Sequence, residues 1–480
     1  MQRKNIPLML AVIIATVLFM WPIWRESLPA WPGYGVRSYI RVNSPLVALT
    51  HVRVIDGTGA PPLENSTVVL SNGRIQAIGN AAATPVPRAA QVLDLTGYSI
   101  VPGLVGMHDH MFYGGVKNLF GSSGFAVSEM GFSFPRLYLA AGVTTIRTAG
   151  AVDLSADLRL KAQIDAGWVV GPKMHVAGPY MNANSTPEET RKGVEQWADK
   201  GATSFKAYMY ITRAALAAAI QAAHERGLTV AGHLCAVGFR EAVALGIDSL
   251  EHGLVEDSEF VPGKAPDVCP ARESINASLV QLDLNSAPVQ QLIRDLVRHH
   301  VAITSTLPVF ETYVPFRSPT QTRVLEVLQP ASRTDYLAAR ARVNEEGRQS
   351  PWTELLRKEM QFERDFVKAG GLLLAGEDPT GNGGNVAGFG DQRELELLVE
   401  GGFTPLEAIH IATANGAAFL GESERIGSLA PGKQADLVVI RGDPSSNIAD
   451  VEKVEVVFKD GVGYDSAKLI ESVRHSVGLH

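Results

Sequence analysis

The 480-residue sequence contains only two cysteines, Cys235 and Cys269, so it is not a small domain stabilised by many disulfides. It also lacks a strong excess of either charge, because 43 basic and 50 acidic residues leave a net charge of −7. No basic stripe is present, which excludes nucleic acid as an expected partner. Glycine and proline are scattered rather than concentrated, which favours many short turns over disorder. The length predicts two or three domains.

One long hydrophobic run stands at the N-terminus. After Arg3 and Lys4, the chain carries no charged residue from Asn5 to Trp24, and about 20 apolar residues suffice to span a bilayer. No convincing cleavage site follows, and tryptophans lie where a membrane-interface belt would be. We therefore predict that residues 1–24 are a signal anchor, with a cleaved signal peptide as the alternative. The rest of the chain is then expected to be extracytoplasmic, periplasmic or on the outer face of the membrane, and to contact the membrane through this segment only.

Stretches typical of β-strands lie at both ends of the remaining chain. Residues 45–98 contain short alternating runs separated by Asp-Gly, Asn-Gly and Thr-Gly turns, and residues 425–465 repeat this style. We expect the two pieces to join into one small composite β-sandwich domain. Residues 25–44 are predicted to be a tether, and residues 466–480 a C-terminal tail.

Between these pieces, residues 99–424 alternate short apolar runs with helical stretches. The eight strand candidates are 99–107, 142–148, 172–178, 202–208, 228–234, 247–253, 301–307 and 371–378. Thr186 and Thr404 are each followed by a proline and, three residues on, by a glutamate, which predicts a capping box at a helix start. The fold class is therefore α/β, and the count favours a (β/α)8 TIM-like barrel. A doubly wound open sheet is the structural alternative.

Metal-capable side chains follow several of these predicted strands. His108 and His110 are two residues apart at the end of the first strand, so their imidazoles project from the same face. The other candidates are Lys206, His233, His252 and Asp378, at the ends of later strands. Functional groups of barrels collect at the C-terminal ends of the strands, so we expect these side chains to meet.

The order His-x-His, Lys, His, His, Asp resembles the amidohydrolase superfamily, in its imidazolonepropionase-related branch. The likeness runs from about Ala48 to Tyr464 and includes VPGLVGMHDH, SLEHG and SLAPGKQADLVVI. It implies that one metal is bound by His108, His110 and Asp378 and a second by His233 and His252. Lys206, carboxylated by CO2, would bridge two divalent ions, for which Zn²⁺ is the expected metal. The resemblance also implies a homo-oligomer.

This resemblance implies a binuclear metal-dependent hydrolase that cleaves a C–N bond in an amide or cyclic amide. A hydroxide shared by the metals would attack the carbonyl, and Asp378 would pass its proton to the leaving nitrogen. Three alternatives are an Xaa-Pro-type dipeptidase or carboxypeptidase of the same fold, a mononuclear deaminase that does not need Lys206, and a catalytically silent scaffold.

Two residues are candidates for binding this small-molecule amide or peptide-like substrate. Tyr208 lies two positions beyond Lys206 on the same face, although an aromatic residue lining the barrel rim would give the same pattern. Arg147 ends the second predicted strand and could bind a substrate carboxylate, with a structural ion pair as the alternative. Glu377 adds a carboxylate beside Asp378.

The segment 254–290 is long for a connection and is expected to be functional. Cys269 within it could reach Cys235, which follows His233, so we predict a disulfide that fixes this segment over the pocket in an oxidising compartment. Residues 312–360 are charged and predicted to be helical, forming another part of the rim.

Overall fold

The computed structural model describes residues 34–119, 122–183, 185–317 and 321–479. The predicted signal segment, residues 1–24, lies outside these ranges. Within them, no helix combines the length and the apolar character that crossing a membrane requires.

The strands of the described residues are named β1 to β20 in chain order. They are Ile40–Val42 (β1), Leu46–Val54 (β2), Leu63–Ser71 (β3), Arg74–Asn80 (β4), Gln91–Asp94 (β5), Tyr98–Pro102 (β6), Leu104–Asp109 (β7), Phe112–Leu119 (β8), Ser122–Glu129 (β9), Val143–Thr148 (β10), Lys173–His175 (β11), Ala177–Met181 (β12), Ser204–Met209 (β13), Thr229–Leu234 (β14), Ser249–Glu251 (β15), Ala302–Ser305 (β16), Leu373–Ala375 (β17), Leu437–Arg441 (β18), Val454–Lys459 (β19) and Val462–Asp465 (β20).

The α-helices of the described residues are named α1 to α16 in the same way. They are Tyr34–Arg37 (α1), Phe134–Ala140 (α2), Leu154–Asp165 (α3), Pro187–Lys200 (α4), Arg213–His224 (α5), Phe239–Leu245 (α6), Arg272–Gln281 (α7), Ala287–Arg298 (α8), Leu307–Glu311 (α9), Thr322–Val327 (α10), Pro330–Glu346 (α11), Trp352–Lys368 (α12), Phe389–Glu400 (α13), Pro405–His410 (α14), Gly416–Phe419 (α15) and Ser466–Glu471 (α16). Helices α4 and α14 begin with the capping boxes that Thr186 and Thr404 predict.

Strands from both ends of the chain share one nine-stranded sheet. Its order is β1-β20-β19-β18-β6-β2-β3-β4, with β5 paired to β2. The central junction is the antiparallel pair β6–β18, in which Val101 lies opposite Val438. Asn72 and Gly73 join β3 to β4 with φ of 48° and 79°, the positive values that a type I′ turn requires. The two β-rich pieces therefore meet in one sheet, as expected from their sequences.

The middle of the chain forms two parallel sheets, β11-β10-β7 and β12-β13-β14-β15-β16-β17. The third predicted strand is divided at Val176 between β11 and β12, and thus between the two sheets. Ala151, just after β10, pairs with Pro179 of β12. At the other end, the amide N–H of Asp378 donates to the carbonyl of His108 over 2.9 Å. These contacts bring the first and last parallel strands together, as in the predicted barrel.

The predicted first strand, 99–107, is two strands in the structure. Tyr98–Pro102 belongs to the nine-stranded sheet, and only Leu104–Asp109 belongs to the parallel sheet. Gly103 lies between them, where a Cβ atom would be 2.0 Å from the Thr144 hydroxyl oxygen. The Pro-Gly pair thus ends one strand and lets the chain pass close to Thr144, so the parallel sheet begins at Leu104 rather than at residue 99.

The predicted tether and tail are both packed where the structure describes them. In the tether, Val36 of α1 and Val42 of β1 are buried, and β1 pairs with β20. In the tail, α16 is followed by Val477, which is buried and pairs with Leu328. Both ends of the described chain therefore contribute to the core.

Candidate metal centre

Four histidines and an aspartate converge at the C-terminal ends of the parallel strands. The Oδ2 atom of Asp378 lies 3.8 Å from His108 Nε2 and 3.9 Å from His252 Nε2, and its Oδ1 atom lies 3.6 Å from His110 Nε2. The ring of His252 is 4.4 Å, centroid to centroid, from those of His108 and His233. Donor atoms of His108, His110 and Asp378 all lie within 4.8 Å of one another, close enough to bind one ion.

At this centre two strands approach each other unusually closely, and part of the backbone is strained. A Cβ atom at Gly376 would be 2.5 Å from the backbone nitrogen of His108, so glycine is required for β7 and the end of β17 to approach. The backbone φ angles of His252 and Asp378 are positive, 70° and 51°, and residues other than glycine rarely adopt such values. Strain of this kind is typical of functional sites.

Lys206 of β13 is buried in the same place, with 1% of its surface exposed. Among the residues that the structure describes, its Nζ atom has no hydrogen-bond partner. Burial lowers the pKa of Lys206 to about 8. About a tenth of the amine is therefore uncharged at pH 7, and this is the form that can react with CO2.

Three of the histidine rings are held in place by contacts of their Nδ1 atoms. His108 Nδ1 lies 2.5 Å from Glu251 Oε2, His110 Nδ1 lies 3.3 Å from the Gly150 carbonyl, and His252 Nδ1 lies 2.8 Å from the Thr306 hydroxyl. In each case Nε2 is left for the centre. Burial lowers the pKa of His110 to about 3, and it lowers the pKa values of His108 and His252 well below the ordinary value. The rings are therefore neutral, which is the form that binds metals.

His233 is held through its other nitrogen. Its Nε2 atom lies 3.3 Å from Glu256 Oε2, and Arg272 binds the same carboxylate. Burial raises the pKa of Glu256, but the charges of His233 and Arg272 outweigh burial and bring this pKa to about 2. Glu256 is therefore a carboxylate at neutral pH, and its negative charge lies beside the imidazole of His233.

Arg147 lies beneath this centre and not in the pocket. Its guanidinium is buried and donates to the Met107 carbonyl and, over 2.7 Å, to Glu251 Oε1. The prediction that Arg147 binds a substrate carboxylate is therefore wrong, because the side chain is directed into the interior of the parallel sheets. The alternative, a structural ion pair, is what the structure contains.

A cavity of about 650 Å³ is bounded by His108, Lys206, His233, His252 and Asp378. Most of its other walls are aromatic or apolar; they include Phe112, Phe125, Tyr180, Tyr208, Phe310, Tyr313 and Trp352. Tyr208 thus lies where the sequence places it, with its ring 4.9 Å from that of His233. Burial raises the pKa of Tyr208 to about 12, so its hydroxyl remains a hydrogen-bond donor.

The rim of the cavity combines three segments. The hairpin β8–β9 contributes Phe125 and Val127, and helices after residue 306 contribute Phe310 and Trp352. The third segment follows β15 and carries Arg272. The predicted disulfide between Cys235 and Cys269 is present and attaches this segment to the end of β14.

Glu377 belongs to a second buried group of carboxyls, with Asp109 and Asp391. Burial raises the pKa of Asp391 to about 7 and the pKa values of Asp109 and Glu377 well above the ordinary range. Asp109 and Glu377 therefore favour the protonated form at neutral pH, whereas Asp391 is close to its midpoint. Asp109 faces this group rather than the histidines, as the alternation along β7 predicts.

The sequence interpretation missed Glu251, Glu256 and Arg272 as parts of the site. Glu251 stands beside His252 in the SLEHG motif, and this position next to a predicted metal-binding residue could have identified it. Glu256 and Arg272 lie in the long segment after β15, where no strand or helix periodicity predicts which side chains turn toward the cavity.

Comparison with known proteins agrees with this geometry. A sequence profile described as the amidohydrolase family matches residues 99–462. An imidazolonepropionase of Caulobacter vibrioides (strain NA1000 / CB15N) is 30% identical over 166 residues, which cover 28% of this chain and 41% of that protein. A candidate prolidase from Bifidobacterium longum superposes with a TM-score of 0.64 at 25% identity, covering 89% of this chain and 98% of the other.

A bottromycin amidohydrolase superposes with a TM-score of 0.66 at 21% identity, over 93% of this chain and 95% of that one. This likeness supports the α/β fold of the TIM-barrel type that the strand order indicates. The family profile covers most of the chain and includes every residue of the candidate metal centre. This protein therefore belongs to the amidohydrolase family.

Proposed function

We propose that the protein is a binuclear metal-dependent hydrolase that cleaves the C–N bond of an amide or cyclic amide. The observation that carries the proposal is the environment of Lys206. An ammonium group buried beside four histidines and without a hydrogen-bond partner in the described residues is costly. Carboxylation converts it to an anion, which is stable between two cations.

The donor set fits two divalent ions. His108, His110 and Asp378 would hold one, His233 and His252 would hold the other, and carboxylated Lys206 would bridge them. Neutral imidazoles and carboxylates suit Zn²⁺. Ions bound there would activate a shared water and polarise the amide carbonyl.

The chain's own groups complete the proposed mechanism. Asp378 lies within 4 Å of three histidines, and in this proposal its carboxylate would take the proton of the attacking water and deliver it to the leaving nitrogen. Tyr208 would donate its hydroxyl proton in a hydrogen bond to the substrate carbonyl oxygen. The aromatic walls would bind an apolar part of the substrate and exclude bulk water.

A dipeptidase or carboxypeptidase is the second candidate. Such an enzyme needs a cation in the cavity to bind a free carboxylate, and Arg272 is the arginine that lines it among the described residues. Its guanidinium is already paired with Glu256, so we place the amide hydrolase first. A deaminase is less well supported, because it leaves buried Lys206 without a role.

We also propose an extracytoplasmic location. The N-terminal hydrophobic run and the Cys235–Cys269 disulfide both support it, because disulfides persist in oxidising compartments. Homo-oligomerisation stays a prediction from the family resemblance.

Metal content per chain tests the proposed function. The wild-type protein, purified without chelators and with bicarbonate present, is expected to hold two divalent ions. Lys206→Ala should lose at least one of them together with amide hydrolysis, whereas Lys206→Glu should recover metal because a carboxylate can again bridge. Lys358→Met is the matched control, since Lys358 is also buried but donates to backbone carbonyls of residues that do not line the cavity. Two ions in Lys206→Ala would contradict the bridging role.

A further inference from the structure

We propose that Glu256, Arg272 and the Cys235–Cys269 disulfide form a clamp that positions His233 for metal binding. This inference rests on the proposed function, since it concerns the second of the two metal positions. In it, Glu256 and Arg272 are positioning residues, which act on the metal through His233.

The first step is the contact between Glu256 and His233. Glu256 is 5% exposed and lies at the end of the short helical turn Gly253–Glu256 that follows β15. Its Oε2 atom is 3.3 Å from His233 Nε2. A negative charge this close to Nε2 favours the tautomer that carries its proton there, which leaves Nδ1 unprotonated for the metal. The other three histidines are held through Nδ1, whereas His233 is held through Nε2 by Glu256.

The second step is the grip of Arg272 on Glu256. Arg272 begins α7, and its Nη2 group binds the carboxylate of Glu256. Its Nη1 group donates to the carbonyl of Val255 over 3.2 Å. One guanidinium thus holds both the side chain of Glu256 and the backbone next to it. Removing Arg272 would free the carboxylate to leave His233.

The third step is the covalent link. Cys235 follows His233 by two residues, and Cys269 precedes Arg272 by three, with 4.9 Å between the Cα atoms of the two cysteines. One bond therefore attaches the strand that carries His233 to the segment that carries Arg272. Two hydrogen bonds support the same junction, from the Ser258 hydroxyl to the Cys235 carbonyl and from Lys264 Nζ to the Ala236 carbonyl.

The distribution of these contacts predicts a selective effect. The clamp holds His233 and contacts none of His108, His110 and Asp378 in the hydrogen bonds and ion pairs of the described residues. Its loss should weaken one metal position and leave the other nearly unchanged. Contacts that orient a metal-binding histidine typically account for 10- to 100-fold in affinity.

The experiment measures release of Zn²⁺ from the loaded full-length protein to a chromogenic chelator, in which two bound ions give two kinetic phases. Glu256→Gln is expected to accelerate one phase by about 10- to 100-fold and to leave the other within about twofold. Arg272→Met should act on the same phase, and Arg272→Lys should restore part of the loss. The double variant Glu256→Gln/Arg272→Met should add little to either single one, because both act through one contact.

The Cys235→Ser/Cys269→Ser variant should accelerate the same phase by a smaller factor. Glu311→Gln is the matched control: Glu311 is a buried carboxylate bound by Arg317 and Arg393, outside the cavity. If Glu256→Gln releases both ions at the wild-type rates, the clamp is refuted even if thermal stability falls, while the proposed function stands. A wild-type protein that holds fewer than two ions would instead overturn the proposed function itself.

Discussion

At the scale of single residues, Glu363 shows how a buried carboxyl makes stability depend on pH. It lies on α12 and is fully buried, and burial raises its pKa from the ordinary value of 4.5 to about 8. Between pH 4.5 and 8 the folded protein keeps the proton, whereas the unfolded chain has released it. The unfolded state thus binds fewer protons, so the free energy of unfolding falls as pH rises, by about 1.4 kcal/mol per pH unit from this group.

Replacing Glu363 by glutamine is therefore expected to stabilise the protein increasingly with pH. Glutamine keeps the size of the side chain and cannot ionise, so the difference in free energy of unfolding, variant minus wild type, should grow from pH 5 to pH 8. Urea denaturation at both pH values measures it. Glu345→Gln, an exposed position on α11, is the control and should show no such growth. A difference for Glu363→Gln that stays constant with pH would contradict the assignment.

At this scale, the sequence predicts position best for side chains that lie within a strand or directly after it. The six metal-capable residues meet because their strands end at one edge, which chain order and strand alternation predict. The prediction failed for Arg147, since being near a strand end does not decide whether a long side chain turns to the cavity or to the interior. Glu256 and Arg272 could not be predicted, because their positions depend on an irregular segment fixed by tertiary contacts.

At the scale of elements, it was easier to predict which runs form strands than to predict which sheet each strand joins. The apolar run at 99–107 reads as one strand, yet the structure divides it at Gly103 between two different sheets. Hydrophobic periodicity records burial, and both halves are buried, so the run itself does not indicate which sheet each half joins. The hairpin β8–β9 was missed for a related reason, since it alternates only weakly and projects at the rim.

The junction between the first and last parallel strands gives a test at this scale. A Cβ atom at Gly376 would meet the backbone of His108 at 2.5 Å, and backbone has little freedom to move. Gly376→Ala is therefore expected to separate Asp378 from His108, to lower metal content, and to reduce activity about 100-fold, as displacements near 1 Å do. Gly124→Ala is the control, because a Cβ atom there meets nothing within 4 Å. Full metal content in Gly376→Ala would show that the junction can relax.

At the scale of the whole molecule, the two ends of the part of the chain that the structure describes pair with each other. Strand β1 pairs with β20, and the N–H of Asp465 donates to the Tyr39 carbonyl over 2.8 Å. The sequence predicted that strands from both ends share a sheet, because both carry the same turn-rich alternation. It did not predict that the sheet extends into residues 34–44, since a three-residue strand gives too little periodicity to be recognised.

Chains that begin at residues 34, 38 and 45 should therefore differ in stability. The first keeps α1 and β1, the second keeps β1 alone, and the third has neither. Val36 and Val42 are both nearly fully buried, so the loss from the first chain to the third is expected to be roughly 3–6 kcal/mol at most. Urea denaturation of the three proteins measures it, with the chain from residue 38 falling between the others.

Val42→Ala and Arg41→Ala in the longest chain provide the matched controls, since Val42 faces the core and Arg41 faces solvent. Only Val42→Ala should reduce stability by more than 1 kcal/mol or so. Equal stability of the chains from 34 and 45 would mean that the pairing of the two ends is a consequence of the fold and does not hold it together.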